Sequence, residues 1–331
     1  MTHQRVALAV MIAFFALAPA VIYPLFLMKV MCFALFACAF NLLIGYGGLL
    51  SFGHAMFFGS AGYISAHAAK VWGFNPEFAI LAAVAAAALL GLGTGLIAIR
   101  RQGIYFAMIT LALAQMVFFF CVQAPFTGGE DGIQAVPRGR LFGLIDLASV
   151  TNMYVLVFAI FVGGFLLIYR IIQSPFGQVL KAIRENEARA TSLGYDTARF
   201  KLLAFVLSAA LAGLAGATKT LVLGFATLTD AHWSTSGLVI LMVLMGGMGT
   251  MLGPILGAFV VVALENKVGD IGMFFGRVTG IEWFNGLGEA VTIVIGLIFV
   301  VCVMSFRRGI VGELNAWWAR RRSVARSTAP A

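Results

Sequence analysis

The sequence contains few charged residues. They make up 11% of its 331 residues, against about 25% in an average soluble protein. Hydrophobic residues account for 62%, and the mean hydropathy is +1.01. Uncharged apolar runs recur at about the 20 residues that cross a bilayer as a helix, without the alternation of a barrel strand. A soluble globular enzyme is excluded, and an all-α integral membrane protein is predicted.

Motifs for nucleotide binding and catalysis are missing. The string closest to a P-loop, at 216–220, lies inside an apolar run and has the wrong spacing. Neither H-E-x-x-H nor G-x-S-x-G occurs. The chain is therefore expected to bind no ATP through a P-loop, to carry no cofactor and not to be an enzyme.

Cysteine is scarce as well. The four cysteines form no C-x-x-C pair, and no histidine stands at metal-ligand spacing from them. They are interpreted as small buried hydrophobic residues, so no metal site is predicted. They are Cys32, Cys38, Cys121 and Cys302.

The net charge of +9 is explained by the orientation of the chain in the membrane. In a soluble protein it would suggest nucleic acid as a partner, but positive-inside anchoring is the simpler reason here. Basic residues cluster at Arg100–Arg101, in the loop 170–201 and in the tail 307–326. All three clusters, together with Arg5, are cytoplasmic if both termini are cytoplasmic.

Apolar runs bounded by charges, proline or glycine predict eight membrane-spanning helices. A ninth stretch, 237–264, is broken by glycines and forms either one kinked span or two short ones. Two short crossings, or a re-entrant pair, keep the basic tail inside, which favours about ten membrane-embedded helices. The eight runs are 6–28, 30–50, 53–70, 78–99, 104–124, 150–172, 202–223 and 287–305.

Two glycine-rich strings resemble one another. GYGGLLSFGHAMFFGSAG (45–62) and LMGGMGTMLGPILGAFV (244–260) share paired glycines, a Ser or Thr and further spaced glycines. They predict two parallel pseudo-repeats in which segments from 6–28 to 78–99 match segments from 202–223 to 287–305. Most glycines in such helices serve close packing. A broken helix at membrane depth is tolerated only inside protein or along a cavity, which makes these breaks the predicted translocation path.

The segment 174–194 has the signals of a helix that begins and ends within it. Ser174 is a suitable cap, Pro175 suits the first helical position, and Gly194 suits the left-handed residue after the last turn. Its apolar stripe predicts one amphipathic helix over 175–193.

The polar face of this helix has mixed charge, including Glu185 and Arg189 one turn apart. Such a helix either lies on anionic lipid or inserts into a groove of another protein, and the pattern alone leaves both open.

Ionisable residues at membrane depth are few. Acidic residues lie in loops or near the ends of the predicted spans, which argues against an ion-coupled secondary transporter. Lys219 is expected to extend towards the outer end of its span. His54, directly after the first glycine-rich break, is either a structural histidine or part of the path.

Several strings resemble the LivM-type permeases, the membrane subunits of bacterial ABC importers for branched-chain amino acids. They occur in order over most of the chain, and AIRENEARATSLG (182–194) is the most specific. The others are NLLIGYGGLLSFGHAMFFGSAGY (41–63), YFAMITLALAQ (105–115), FTGGEDGI (126–133), the remainder of 174–217 and GGMGTMLGPILGA (246–258).

The resemblance implies a complex of several protein chains in the bacterial inner membrane. A sister LivH-type permease, two cytoplasmic ATP-binding subunits and a periplasmic amino-acid-binding protein would join this chain and the lipid bilayer. The helix over 175–193 would be the coupling helix that docks on the ATPase. Its implied coupling residues are Arg184, Glu185, Asn186, Glu187 and Gly194.

The predicted path follows polar residues in otherwise apolar, partly broken spans. An importer fed by a binding protein needs few hydrogen-bonding groups for an aliphatic amino acid. Related permeases are thought to carry urea, short amides or aromatic acids, and the sequence leaves these substrates open. The path residues are Asn41, Ser51, His54, Thr110, Gln115 and Thr250.

The whole chain, 1–331, is expected to form a single polytopic permease domain. Its parts are a first set of helices at 6–173, the cytoplasmic segment 174–194, a second half at 195–305 and a basic cytoplasmic tail at 306–331.

Overall fold

A computed structural model describes residues 2–279, 291–305 and 309–313. The chain divides into two compact units, Met1–Val239 and Ile240–Ala331. The described residues are mainly helical, and the only paired strands among them are a short hairpin, β1 (Arg140–Leu141) and β2 (Ile145–Asp146). This confirms the all-α membrane class.

The described residues contain thirteen α-helices with defined bounds, and residues 309–313 are helical as well. Some of these helices are long, and others are short helices in the connections between the long ones. They are α1 (Thr2–Leu17), α2 (Pro24–Asn41), α3 (His54–Lys70), α4 (Pro76–Ala98), α5 (Ile104–Gln123), α6 (Val150–Gln173), α7 (Pro175–Glu185), α8 (Glu187–Ser192), α9 (Thr197–Leu223), α10 (Leu228–Ala231), α11 (Trp233–Gly246), α12 (Gly253–Thr279) and α13 (Val291–Ser305).

Among the described residues, five helices are long and apolar enough to cross a membrane. The first of them is α2 continued by the π-helical segment Leu42–Tyr46, and 94% of its most apolar window is buried inside the protein. The corresponding windows of α4, α5 and α6 are only 28–33% buried and expose large apolar side chains such as Leu89, Phe119 and Leu167. Within unit 1, α2 is therefore the core helix, and α4, α5 and α6 present apolar faces suited to lipid.

Small residues let the helices around this core approach closely. Gly213 on α9 faces Ala61 on α3, where an added Cβ would lie 3.3 Å from the Ala61 Cβ. Gly91 on α4 packs in the same way against Ala209 of α9. Close backbone packing of this kind is the usual association mode of membrane helices.

The predicted first span, 6–28, is wrong. The α-helix ends at Leu17, a 3₁₀ turn covers Ala18–Ala20, and α2 begins at Pro24. Proline has no backbone N–H to donate and suits the first helical position, so Pro24 starts the next helix.

Contacts within unit 1 define two opposite ends. One end, called the 174–194 end, contains that segment with residues 45–48 and 100–103, because Gln102 binds Glu187 and Arg184 binds Gly45. The other, the 124–149 end, contains that loop with residues 71–76 and 224–227. It is joined by hydrogen bonds from Lys70 to Gln134 and between Ile133 and Ala226.

The stretch 237–264, most of which belongs to unit 2, contains a helix break at the predicted glycines. The end of α11 and the start of α12 are separated by residues 247–252. The second helix continues to Thr279, beyond residue 264, where the predicted stretch ends. The last predicted span, 287–305, is described as a helix from Val291. Its first residues, and most of the tail 306–331, lie outside the described residues.

Candidate functional site

The segment 174–194 begins as predicted but forms two helices instead of one. Ser174 caps α7, with its Oγ accepting a hydrogen bond from the Gly177 N–H at 3.4 Å. Asn186 then adopts extended backbone angles and caps α8, accepting from the Arg189 N–H at 3.0 Å. The single helix over 175–193, with Glu185 and Arg189 one helical turn apart, is therefore wrong.

The first of the two helices, α7, packs against the glycines at 45–48, in and directly after the π-helical segment that continues α2. Leu180 is buried and faces Gly47. The Arg184 guanidinium donates to the Gly45 carbonyl oxygen, and its aliphatic part covers Gly48, which has a φ of +69°. Gly48 thus provides both the left-handed backbone and the space that Arg184 occupies.

A second attachment is made by Glu187. Its Oε1 lies 2.6 Å from the Lys201 Nζ, and its Oε2 accepts from the Gln102 Nε2 at 2.8 Å. One carboxylate therefore ties α8 to α9 and to the 100–103 turn. Glu185, in contrast, is exposed.

Gly194 ends the segment in the predicted left-handed conformation, with a φ of +91°. No atom lies within 4 Å of a Cβ added there, so the backbone angle and not the space favours glycine.

The last residues of the first glycine-rich break, 47–53, pack against α5. The Phe52 N–H donates to the Thr110 Oγ1 at 3.2 Å, and the Thr110 hydroxyl donates to the Ala107 carbonyl at 2.9 Å. The Gly53 N–H donates to the Ser51 Oγ at 3.2 Å. The structure thus brings Ser51 and Thr110, two of the predicted path residues, to the same broken stretch of backbone.

His54 follows this break and is fully buried. The Ser208 hydroxyl donates its one hydrogen to the Ala39 carbonyl at 2.6 Å, so the 2.8 Å contact between His54 and Ser208 has the His54 Nε2–H as donor. His54 Nδ1 has no hydrogen-bond partner within the described residues. The ring packs edge-on against three phenylalanines: Phe40, Phe57 and Phe205.

The other path residues are more dispersed. Asn41 is buried at the end of α2. Gln115 is half-buried, five residues beyond Thr110 on α5, which places it on a different face of that helix. Thr250 lies in unit 2, where its hydroxyl donates to the Gly247 carbonyl at 2.7 Å and accepts from the Gly253 N–H at 3.1 Å. It bridges the two sides of the second break.

Sequence reasoning missed a charged pair in the interior of unit 1. The Lys219 Nζ forms an ion pair with the Asp230 Oδ1, and the two side chains are only 7% and 12% exposed. Lys219 therefore does not extend outwards as predicted. A lysine in the last two turns of a small-residue, apolar helix was the available signal, but its partner on α10 could not be predicted from helical periodicity.

Three of the four cysteines, Cys32, Cys38 and Cys121, are buried free thiols. The side chain of Cys302 lies outside the described residues. Among residues 2–279, 291–305 and 309–313, no three His, Cys, Asp or Glu side chains are grouped so that they could hold a metal ion.

Comparisons with known proteins agree with this membrane architecture. The model of the family "branched-chain amino acid transport system / permease component" matches residues 22–304. The high-affinity branched-chain amino acid transport system permease protein LivM of Escherichia coli (strain K12) is 28% identical over 263 residues, covering 72% of this chain and 62% of the relative's length. A probable LivM of Methanocaldococcus jannaschii is 26% identical, covering 70% and 72%.

One solved structure is similar at a lower level. PsaBC from Streptococcus pneumoniae in complex with Fab gives a TM-score of 0.41 at 15% identity, covering 88% of this chain and 95% of that chain. The family assignment rests on the family match, which extends over most of the chain: the protein belongs to the LivM-type branched-chain amino acid transport permeases.

Proposed function

We propose that this chain is the permease subunit of an ATP-driven importer of branched-chain or other hydrophobic amino acids. It would pair with a sister LivH-type permease, dock on two ATP-binding subunits and receive substrate from a periplasmic binding protein. In this arrangement it lies in the bacterial inner membrane with both termini in the cytoplasm, and hydrolysis takes place on the partner chains.

The observation that carries the proposal is the attachment of segment 174–194. Arg184 joins it to the end of α2, and Glu187 joins it to α9 and to the 100–103 turn. A partner that moves this segment therefore moves α2 and α9 with it. Arg184 and Glu187 act in this proposal as links inside the permease, whereas the exposed Glu185 is a contact for the ATPase.

The break at 47–53 is where this movement would reach the path. It directly follows the end of α2 to which Arg184 is bound, and it leads to His54 and α3. Non-helical backbone at membrane depth is tolerated where protein encloses it, and here Thr110 and Ser51 accept hydrogen bonds from the Phe52 and Gly53 N–H groups. Closure of the ATP-binding subunits would shift this stretch relative to α3 and α5 and so change access to the path.

The test is reconstitution of the chain with the partner proteins encoded beside it. Vesicles containing the complex are loaded with ATP, supplied with the binding protein and assayed for radiolabelled leucine uptake. ATP-dependent leucine uptake supports the proposal in full. A complex that hydrolyses ATP but takes up urea, an amide or an aromatic acid instead of leucine would correct the substrate, and failure to bind any ATPase would refute the coupling role.

Glu185→Lys gives the sharper test of the docking surface. The reversed charge is expected to abolish binding of the ATP-binding subunits in a pull-down while membrane insertion is unchanged. Arg189→Glu, on the neighbouring exposed position of α8, is the matched control. Normal ATPase binding by Glu185→Lys would remove Glu185 from the interface.

A further inference from the structure

Lys219 and Asp230 form a charged pair well inside unit 1. Lys219 lies four residues before the end of α9, about 6 Å along the helix. Its Nζ is 5.8 Å from the ring centre of Phe58, in the second turn of α3, and 6.0 Å from that of Phe33, near the middle of α2. The chain pairs with the 124–149 loop at Ala226 and then turns inwards, so that Ala231 packs against Gly59.

A contribution to the stability of the fold does not by itself explain such a buried pair. Removing two charges from water is costly, and replacing a buried ion pair by apolar residues of similar volume is often neutral or stabilising. Inside a membrane protein, ionisable residues generally mark pathways for substrates or ions. The surrounding helices offer many apolar contacts that could hold α10 in place without charge.

The pair also has unused hydrogen-bonding capacity. The other two N–H groups of the Lys219 ammonium make no further hydrogen bond within the described residues and face the two phenylalanine rings. The Asp230 Oδ2 has only a long contact, 3.4 Å, with the Thr227 hydroxyl. The buried Tyr63 hydroxyl lies on α3, the helix against which α10 packs at Gly59, and it has no hydrogen-bond partner in the described part of the chain.

We propose that Lys219 and Asp230 are a recognition site for the two charged groups of a zwitterionic substrate. This inference rests on the proposed function. The substrate carboxylate would bind the Lys219 ammonium, and its α-ammonium group would bind the Asp230 carboxylate. The ion pair between Lys219 and Asp230 would thus be replaced by two ion pairs with the substrate, and no charge would be left buried without a partner. Thr227 and Tyr63 supply further hydrogen bonds, and the paired state in the structure is the state without substrate. An amino acid amide, which keeps only the α-ammonium group, or a simple carboxylate satisfies only one partner.

The first experiment removes both charges in the reconstituted importer. Lys219→Met with Asp230→Asn is expected to reduce leucine uptake by about tenfold or more while the complex still assembles. The matched control is Lys201→Met with Glu187→Gln, which removes the partly exposed ion pair of the 174–194 end. It should reduce uptake together with the stimulation of ATP hydrolysis. Wild-type uptake by the Lys219/Asp230 double variant would overturn the proposal.

A second measurement keeps the pair intact and so does not depend on how that variant folds. Thr227→Cys in the assembled importer, without the binding protein, is labelled with a small neutral thiol reagent. Leucine should slow labelling at least threefold, whereas leucinamide and 4-methylpentanoate, which each lack one charged group, should not. Equal protection by all three compounds, or by none, would refute the site. Failure of wild-type leucine uptake would count against the proposed function instead.

Discussion

Charged residues serve different purposes at the two ends of unit 1. At the 174–194 end, Arg184 and Glu187 bind a backbone carbonyl, a lysine and a glutamine close to the surface. Towards the 124–149 end, Lys219 and Asp230 face one another among phenylalanines. Contacts near water cost little to form and fasten neighbouring segments together. For an enclosed pair, the cost of desolvation often exceeds the attraction between the two charges. We therefore assign recognition to Lys219 and Asp230, and attachment to the contacts of Arg184 and Glu187.

The largest expected effect comes from replacing Gly59 by valine. This substitution tests the packing of α10 beside the Lys219–Asp230 pair without changing any charge. A Cβ at Gly59 would lie 2.6 Å from the Ala231 Cβ and from its backbone N, so a larger side chain must displace α10. We expect Gly59→Val to abolish recovery of a monodisperse complex by size-exclusion chromatography. Gly93→Val, where nothing lies within 4 Å, is the control and should behave like the wild type. Normal assembly of Gly59→Val would show that α10 does not depend on this packing.

The second largest effect tests whether the attachment of segment 174–194 to the rest of unit 1 transmits movement of that segment. Arg184→Ala removes the link between α7 and the Gly45 carbonyl without changing any membrane-embedded side chain. Leucine uptake is expected to fall about tenfold, with ATPase binding retained and its stimulation by the binding protein lost. Arg189→Ala removes a similar charge whose side chain is exposed on α8, and it should leave uptake unchanged. Equal activity of the two variants would mean that Arg184 does not couple the segment to α2.

A smaller effect is expected for the ion pair between Glu187 and Lys201. The Glu187 side chain is 28% exposed, so solvent weakens the interaction, and its worth is about 1 kcal/mol. A double-mutant cycle with Glu187→Gln and Lys201→Met, measured by chemical unfolding, should give a coupling energy of this size. The same cycle on Lys219 and Asp230 should give a larger one. A coupling energy near zero for the first pair would leave Gln102 as the main partner of Glu187.

Helix positions in unit 1 were largely predictable, because continuous apolar runs ending in charge, glycine or proline leave little freedom. The predicted runs 104–124 and 150–172 differ from α5 and α6 by one residue at an end. Local signals caused the errors. Pro24 starts a helix inside the predicted span 6–28. Asn186 offers the backbone a cap that competes with helix continuation.

The candidate site was harder to predict because its partners are distant in sequence. Ser51 and Thr110 were chosen for polarity, and their meeting at the Phe52 N–H depends on how α5 packs against the break. Lys219 and Asp230 are only 11 residues apart, but the chain between them leaves one helix, pairs with the 124–149 loop and turns back inwards. A pattern of apolar positions does not predict that the chain turns back into the interior after α9.

The smallest effect on transport is expected for His54, which lies between the two charged regions. The ring fills a space among Phe40, Phe57 and Phe205, so His54→Ala leaves a cavity. The free energy of unfolding should fall by about 2–3 kcal/mol, because the loss of packing is only partly relieved by relaxation. Leucine uptake per folded complex should remain within about twofold of the wild type.

Ser208→Ala separates packing from hydrogen bonding at the same place. It removes the acceptor of the His54 Nε2–H and keeps the ring among its aromatic neighbours, so its stability loss should be smaller, at about 1 kcal/mol. Unfolding is followed by thermal denaturation in detergent, and uptake is normalised to assembled complex. A selective loss of uptake in His54→Ala, with stability unchanged, would instead make the unpaired Nδ1 a contact for substrate on its way past the break. Recognition would then extend from the Lys219–Asp230 pair to the glycines at which the 174–194 segment is attached.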